Sequence, residues 1–134
     1  MVDRDHPDVG DTIGLSQYLS LGHVMFQSQK GRPMFEHWFA QTHGDARRVE
    51  VLAHSFLLLC PLVVGTRRLA TLHTRLALQM AETLPVRLVR LDFEVPLFSE
   101  TLQWHRYRDL DPGSLWLREL IVQHALKLPP LPAG

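Results

Sequence analysis

Eight histidines and one cysteine are the side chains of this 134-residue chain that could bind metal or act as a nucleophile. The histidines are scattered, and none forms the His-Glu-x-x-His pair that holds zinc on one helix face. Cys60 lies among leucines directly before Pro61, whereas a reactive thiolate needs an electropositive, partly exposed site. We therefore expect structural histidines and a core cysteine, with no catalytic residue, no metal site and no cofactor.

Ser55 is the polar side chain best placed for ligand binding. It follows a predicted strand and precedes a buried apolar run, so its hydroxyl and the N–H groups after it could accept an anion. An ordinary N-cap explains the same serine fully. The segment between residues 51 and 91 has five arginines and one acid, Glu82, which indicates either an anion-binding patch or, as we favour, a solvated face.

The composition narrows the class of protein. Hydrophobic residues make up 46% and charged residues 21%, which is typical of a globular domain. Fourteen basic and fourteen acidic side chains balance, so a basic nucleic-acid-binding coat is excluded for the chain as a whole. The longest apolar run, from Phe56 to Val64, is far shorter than the roughly 20 residues of a membrane-spanning helix. We expect a cytoplasmic protein without membrane contact.

Alternating helical and strand patterns position these residues. Apolar spacing predicts an α/β fold with a largely parallel sheet flanked by helices. Residues 1–14, with two glycines and a proline, are predicted to be a connector. The predicted helices are Leu15–Leu21, Phe35–Gln41, Phe56–Val64, Thr74–Thr83 and a last helix capped by Asp111 with Pro112 at its first position; the predicted strands are His23–Phe26, Arg47–Ala53, Arg68–Leu72, Val86–Leu91 and Ser99–Tyr107.

An ordered set of short blocks resembles the LysR-type transcriptional regulators, in their aromatic-acid-responsive and nodulation branch. The blocks are Asp5-His6-Pro7 with Leu15-Ser16-Gln17-Tyr18-Leu19; Val51-Leu52-Ala53-His54-Ser55-Phe56; Pro61-Leu62-Val63-Val64-Gly65-Thr66; Leu69-Ala70-Thr71-Leu72; and Trp104-His105, Asp109-Leu110-Asp111-Pro112 and Trp116-Leu117-Arg118. Their order and spacing agree with the family from about Asp3 to Val122.

The resemblance implies a periplasmic-binding-protein-like (type 2) domain of two lobes that binds a small aromatic or carboxylate effector between them. This chain would hold the second lobe at residues 15–98, the returning strand and last helix of the first lobe at residues 99–128, and a tail at residues 129–134. The family's helix-turn-helix is not in this sequence, so DNA would be contacted through a part that this chain lacks. The implied assembly is a homo-oligomer, or pairing with full-length relatives.

The same resemblance implies an effector site. Ser55 matches a polar position after a strand, and the loop Gln27–Gln29, including Ser28, matches a loop lining the cleft. Gln103 matches a strand position near it. His54 stands where the family usually has proline, as does His73, and His54 could add a titratable donor beside Ser55. The helix from Phe35 to Gln41 with Trp38, and the strand from Arg47 to Ala53, would be interface candidates.

Three functions remain open on these residues. The first is the effector-sensing portion of a regulator, which controls the oligomeric state of a DNA-bound complex. The second is a stand-alone small-molecule-binding or dominant-interfering interaction protein. The third, and least favoured, is a small His-dependent enzyme. A fluorescence change of Trp104 on ligand binding without turnover would support the first two, whereas stoichiometric zinc would support the third.

Overall fold

The computed structural model describes residues 1–28, 34–44, 46–97 and 99–131. Two compact units divide the chain, Met1–Val95 and Pro96–Gly134. The strands are β1 (Val2–Asp3), β2 (Thr12–Ile13), β3 (Gly22–Phe26), β4 (Arg48–Ala53), β5 (Arg68–Ala70), β6 (Val86–Arg87) and β7 (Arg90–Leu91); the α-helices are α1 (Leu15–Ser20), α2 (Met34–His43), α3 (Phe56–Leu59), α4 (Thr74–Ala81) and α5 (Pro112–Leu126). Gln29 of the predicted loop and residues 132–134 of the predicted tail lie outside the described residues.

The first unit is built on a five-stranded sheet with the order β4-β3-β5-β1-β6. Strand β3 runs parallel to both β4 and β5, whereas β1 runs antiparallel to both β5 and β6. A two-stranded parallel sheet, β2 with β7, accompanies it. The α/β class is confirmed, but the prediction of a largely parallel sheet is wrong, because the sheet is mixed.

The segment before Gly14 explains this difference. It was predicted to be a connector, yet it supplies β1 to the middle of the main sheet and β2 to the smaller one. Short strands of two residues give no alternating pattern long enough to recognise. Between them, the Arg87 guanidinium donates to the backbone carbonyls of Arg4 (3.1 Å), Gly10 (2.8 Å) and Val9. The segment is irregular, but side-chain hydrogen bonds fix its path.

The main sheet separates two apolar clusters. One contains Val2, Val9, Ile13, Tyr18, Phe39 and Leu69, and the other contains Val24, Ala53, Leu59, Val63, Ala70 and Val86. Leu69 and its neighbour Ala70 belong to different clusters because successive strand residues point to opposite faces. Tyr18 of α1 and Phe39 of α2 cover one face, and Leu59 of α3 belongs to the cluster on the other.

The helix predicted over Phe56–Val64 is shorter than expected. It ends at Leu59, and tight turns, such as the Val63 N–H to Cys60 carbonyl bond of 3.2 Å, lead to Gly65. Pro61 is the cause, since a proline has no N–H to donate to the preceding turn. Gly65 ends the segment in the left-handed region at a φ of 67°, which a glycine adopts without strain. Cys60 is fully buried, as predicted.

Two predicted strands also differ from the structure. The run from Val86 to Leu91 divides into β6 and β7, which pair in different sheets. The run from Ser99 to Tyr107 forms no strand, because the described residues supply no neighbouring strand for it to pair with, and a 3-10 turn begins at Arg106. The last helix begins as predicted. The Asp111 carboxylate accepts a hydrogen bond from the Ser114 N–H at 2.8 Å.

Helices long and apolar enough to cross a membrane are absent from the part of the chain that the structure describes.

Candidate functional site

The carboxyl ends of three parallel strands meet at one edge of the main sheet. Strands β4, β3 and β5 are neighbours, and the register pairs Phe26 at the end of β3 with Ala53 at the end of β4. Gln27, His54 and Thr71 are the residues that directly follow these three strands. We call this region the carboxyl edge. Ligands of open α/β sheets characteristically bind at such an edge.

The structure brings four of the five predicted site residues together at the carboxyl edge. The Gln27 N–H donates to the Ala53 carbonyl at 2.8 Å, which extends the pairing beyond the strand ends. The His54 ring then donates from Nδ1 to the Gln27 carbonyl at 3.1 Å. Ser28 and Ser55 follow directly along the chain and are half-buried, whereas His54 is exposed. The loop after β3 is therefore tied to the loop after β4.

Ser55 has a structural task at this edge. Its extended backbone makes it the N-cap of α3, and its hydroxyl oxygen accepts a hydrogen bond from the Leu57 N–H at 3.3 Å. The helix that it caps has only four residues, so few N–H groups are aligned at its end. The ordinary-cap interpretation of Ser55 is therefore present in the structure, and ligand binding by its hydroxyl stays a prediction.

An aromatic pair that was not singled out in the sequence lies beside these polar groups. Phe26, the last residue of β3, stacks on Phe56, the first residue of α3, with ring centroids 4.1 Å apart and an angle of 18° between the planes. The His73 ring meets Phe56 edge-on at 5.7 Å. Both phenylalanines are only partly buried. Their adjacency to Gln27 and Ser55 in the chain was the available signal.

The fifth predicted site residue, Gln103, belongs to the second unit. It is exposed and precedes Trp104, whose indole N–H donates to the Asp109 carboxylate at 2.7 Å. The Arg118 guanidinium lies 4.3 Å from the Trp104 ring centroid and donates to the Asp109 carbonyl at 2.9 Å. These contacts fold the segment around Gln103 against the first turns of α5.

Charges that could have formed an anion-binding patch are used within the fold. Arg68 donates to the Glu50 carboxylate at 2.8 Å, Arg67 pairs with Asp8 at 3.4 Å, and Arg87 binds backbone carbonyls. Burial raises the pKa of the Cys60 thiol, which keeps it protonated and poorly nucleophilic. The described residues contain no group of three His, Cys, Asp or Glu side chains arranged to bind a metal ion. The arrangement at the carboxyl edge is suited to holding a flat molecule with polar substituents.

Comparison with known proteins gives relatives of one kind, although no family model matches the chain. Nodulation protein D 2 of Rhizobium tropici is 37% identical over 123 residues, which is 91% of this chain and 39% of that relative. Nodulation protein D 1 of Bradyrhizobium japonicum is 40% identical over 117 residues, or 87% of this chain and 36% of the relative. The chain thus spans about two-fifths of the length of the curated relatives it matches.

These relatives confirm the resemblance seen in the sequence. The chain is homologous to part of the LysR-type transcriptional regulators. Within that class, the relatives it matches are nodulation D proteins, at 34–40% identity, in line with a C-terminal effector-binding fragment. They are regulators and not enzymes, which agrees with the expectation that the chain has no catalytic residue.

Proposed function

We propose that this chain is the effector-sensing portion of a LysR-type transcriptional regulator that works in the cytoplasm. Residues 15–98 are the second lobe of a periplasmic-binding-protein-like domain, and residues 99–128 contribute to the first. A small aromatic or carboxylate metabolite binds between the lobes and shifts the population of a DNA-bound homo-oligomer. DNA is contacted through a helix-turn-helix outside this chain.

The observation that carries the proposal is the convergence at the carboxyl edge. Gln27, His54 and Ser55 lie together there, beside the stacked rings of Phe26 and Phe56. Stacked rings offer a flat apolar surface, and the amide, imidazole and hydroxyl groups offer polar contacts that can orient a ligand. Homology to nodulation D proteins supports a sensing function for this edge, because these relatives are transcriptional regulators.

Strand β4 supports the oligomeric part of the proposal. It is the outer strand of the main sheet, and the side chains of Val49 and Leu52 are 40% and 50% exposed. An outer strand with exposed apolar side chains is a natural place for a second copy to pack. Trp38 of α2, the other interface candidate, is half-buried among Phe35 and Phe39, so β4 is the stronger of the two.

Nuclear magnetic resonance with labelled protein tests the site. We expect benzoate, used as an aromatic carboxylate probe, to shift the backbone amide signals of Gln27, Ser28, Ser55 and Phe56. Amides of α4, such as that of Gln79, serve as the internal control and should stay in place. Titration to millimolar benzoate without change at the carboxyl edge would contradict the proposal.

Variants of Ser55 separate ligand binding from helix capping. Ser55→Ala removes both functions of the hydroxyl, so we expect weaker benzoate binding and a loss of about 1 kcal/mol in the free energy of unfolding. Ser55→Asp keeps a good cap but adds a negative charge, so we expect full stability and no binding of the carboxylate. If both variants bind benzoate as the unaltered chain does, Ser55 is a cap and nothing more.

A further inference from the structure

A buried row of polar side chains leads from helix α2 to the carboxyl edge. Glu36 of α2 forms an ion pair with Arg47, and both side chains are at least nine-tenths buried. The Arg47 guanidinium lies 4.4 Å from the Phe39 ring centroid and hydrogen-bonds the side chain of Tyr18. The Tyr18 hydroxyl oxygen is 2.8 Å from the Thr71 hydroxyl oxygen. We call this row the Glu36–Thr71 relay.

The donor and acceptor roles along the relay follow from the chemistry of its members. A guanidinium can only donate, so the Tyr18 oxygen accepts a hydrogen bond from Arg47. Burial raises the pKa of the Tyr18 phenol, which therefore keeps its proton and donates it to Thr71. The Thr71 oxygen is then an acceptor within the relay, and its own hydrogen is left to point elsewhere. Among the described residues, the structure records no second partner for the Thr71 hydroxyl.

Thr71 is placed where that hydrogen can meet a ligand. It directly follows β5 at the carboxyl edge and is partly exposed, whereas Tyr18 behind it is 1% exposed. A hydrogen bond donated along a row that starts at a guanidinium polarises the next hydroxyl and makes it a better donor. The sequence gave no indication of Thr71, because its function depends on partners far away in the chain.

From these contacts, we infer that Thr71 donates a hydrogen bond to an acceptor oxygen of the effector, and that Tyr18 is the positioning residue that orients it. This inference rests on the proposed function, since it adds one contact and one orienting group to the same site. It also specifies the ligand further. The ligand carries an oxygen acceptor, such as a carboxylate, on the side that faces β5.

Binding of two probes tests the function of Thr71. Thr71→Val keeps the shape but removes the hydroxyl, so we expect about tenfold weaker binding of benzoate. Toluene has the same ring without an acceptor oxygen, and its affinity should not change. Thr71→Ser restores a hydroxyl and should recover most of the benzoate affinity. Unfolding of each variant in urea checks that the fold is intact.

A double-mutant cycle tests the function of Tyr18. Tyr18→Phe removes only the phenol oxygen, and we expect it to weaken benzoate binding by about threefold. In the Thr71→Val background the same change should have no effect on benzoate binding, because the group that Tyr18 orients is gone. A purely structural function of Tyr18 would weaken binding equally in both backgrounds.

The outcomes distinguish this inference from the function on which it rests. If benzoate shifts the amide signals of Gln27 and Ser55 and binds Thr71→Val as tightly as the unaltered chain, only the function of Thr71 is overturned. If benzoate affects no residue of the carboxyl edge, the proposed function fails and the inference fails with it. An equal loss of benzoate and toluene binding in Thr71→Val would also overturn the inference, because it indicates altered packing.

Discussion

Burial determines how His23 of β3 behaves. Its side chain is 2% exposed, its Nε2 donates to the Tyr18 carbonyl at 2.8 Å, and its ring meets the Tyr18 ring edge-on at 4.6 Å. Desolvation lowers the pKa of His23 from its ordinary 6.5 to about 4, with the nearby arginines Arg47 and Arg48 adding to the shift. The neutral imidazole is the form that the fold accommodates.

We therefore predict that acid destabilises the protein through His23. Above pH 6.5 the imidazole is neutral in both states, so it causes no loss. As the pH falls from 6.5 to 4, the unfolded chain takes up a proton that the folded chain refuses. The free energy of unfolding then decreases by about 1.4 kcal/mol per pH unit, or about 3 kcal/mol in all. Urea unfolding at several pH values measures this slope.

A variant identifies the residue responsible. His23→Gln keeps an amide donor for the Tyr18 carbonyl but does not titrate, so its stability should be nearly constant between pH 6.5 and 4.5. The matched control is His37→Gln, because His37 is exposed on α2 and its removal should leave the slope unchanged. A full slope in His23→Gln would contradict the assignment.

The buried ion pair of Glu36 and Arg47 is the second residue-scale feature with a measurable consequence. Glu36→Ala leaves the Arg47 cation buried without its counter-charge, so we predict a loss of about 3–5 kcal/mol in the free energy of unfolding. Glu36→Leu combined with Arg47→Met removes both charges and should recover most of that loss. Urea unfolding measures all of these variants.

An exposed pair provides the control for that prediction. Asp8→Asn breaks the pair with Arg67, whose side chains are 49% and 74% exposed. Because water screens such charges, the loss should stay below about 1 kcal/mol. Equal losses for the buried and exposed pairs would contradict the assignment of stability to burial.

Single residues of the site were predictable only in part. Ser55 was recognised because a serine between a strand and an apolar run is typical of a helix cap, and the cap is present. Gln27, Ser28 and His54 came from the family resemblance, and the structure places them at one edge. Phe26 and Phe56 were read as members of apolar runs, since nothing in a linear pattern indicates that two distant rings stack. Thr71 was missed for the same reason.

Among the elements, strands β3, β4 and β5 depend on a close approach at Gly22. Gly22 lies in register with Arg48 on one side and Arg68 on the other. The Glu50 carboxylate lies over it, accepting a hydrogen bond from Arg68 at 2.8 Å and pairing with Arg48 at 3.1 Å. A β-carbon at position 22 would overlap that carboxylate. Glycine therefore leaves space for a charge cluster that spans the three strands.

We predict that Gly22→Ala displaces Glu50 from Arg68. The hydrogen bond from Arg68 holds the pKa of Glu50 below its ordinary value, so the pKa should rise towards that value in the variant. The melting temperature should fall by a few degrees. In a Glu50→Ala background, Gly22→Ala should cause no further fall, and a fall of the same size in both backgrounds would contradict this explanation. A carboxyl-detected titration and thermal unfolding measure the two effects.

Element boundaries were predictable where local signals act alone. Asp111 and Pro112 fixed the start of α5, and the pattern of β4 was recognised to within a residue. The helix after Ser55 was predicted too long because the apolar run continues past the proline that breaks it. The strand over Ser99–Tyr107 was predicted from its alternation alone, but a strand also needs a partner to hydrogen-bond with.

At the scale of the whole molecule, α5 has apolar side chains exposed all around it. Leu115, Trp116 and Leu117 follow one another and are 38%, 63% and 49% exposed, and Leu126 near the end is 81% exposed. A helix that is apolar on all sides is normally covered by other elements. In this chain such a surface favours association between copies.

We predict concentration-dependent association of the isolated chain through α5. Trp116→Glu adds a charge to the apolar surface and should lower the average mass at a given protein concentration. Gln123→Glu adds the same charge at a polar position of the same helix and should not change the average mass. Analytical ultracentrifugation measures this, and a chain that stays monomeric at all concentrations would contradict the prediction.

The class of the whole molecule was more predictable than its sheet. Alternation of helices and strands correctly gave the α/β class, and the ordered family blocks gave the correct relatives. The direction of β1 was beyond reach, because a strand's neighbours depend on contacts between residues far apart in the chain. Val2, for example, pairs with Leu69 on one side and Arg87 on the other.

That placement of β1 has a consequence for synthesis on the ribosome. The second residue of this chain is part of the middle of its sheet, so it must wait for Leu69 and then for Arg87 to emerge before it has both neighbours. Until then, β3, β4 and β5 can pair, but the sheet has an unfilled side at β5. Pairings this far apart are slow to form. The nascent chain is therefore expected to fold late, and to need protection of that open side until its last strands are made.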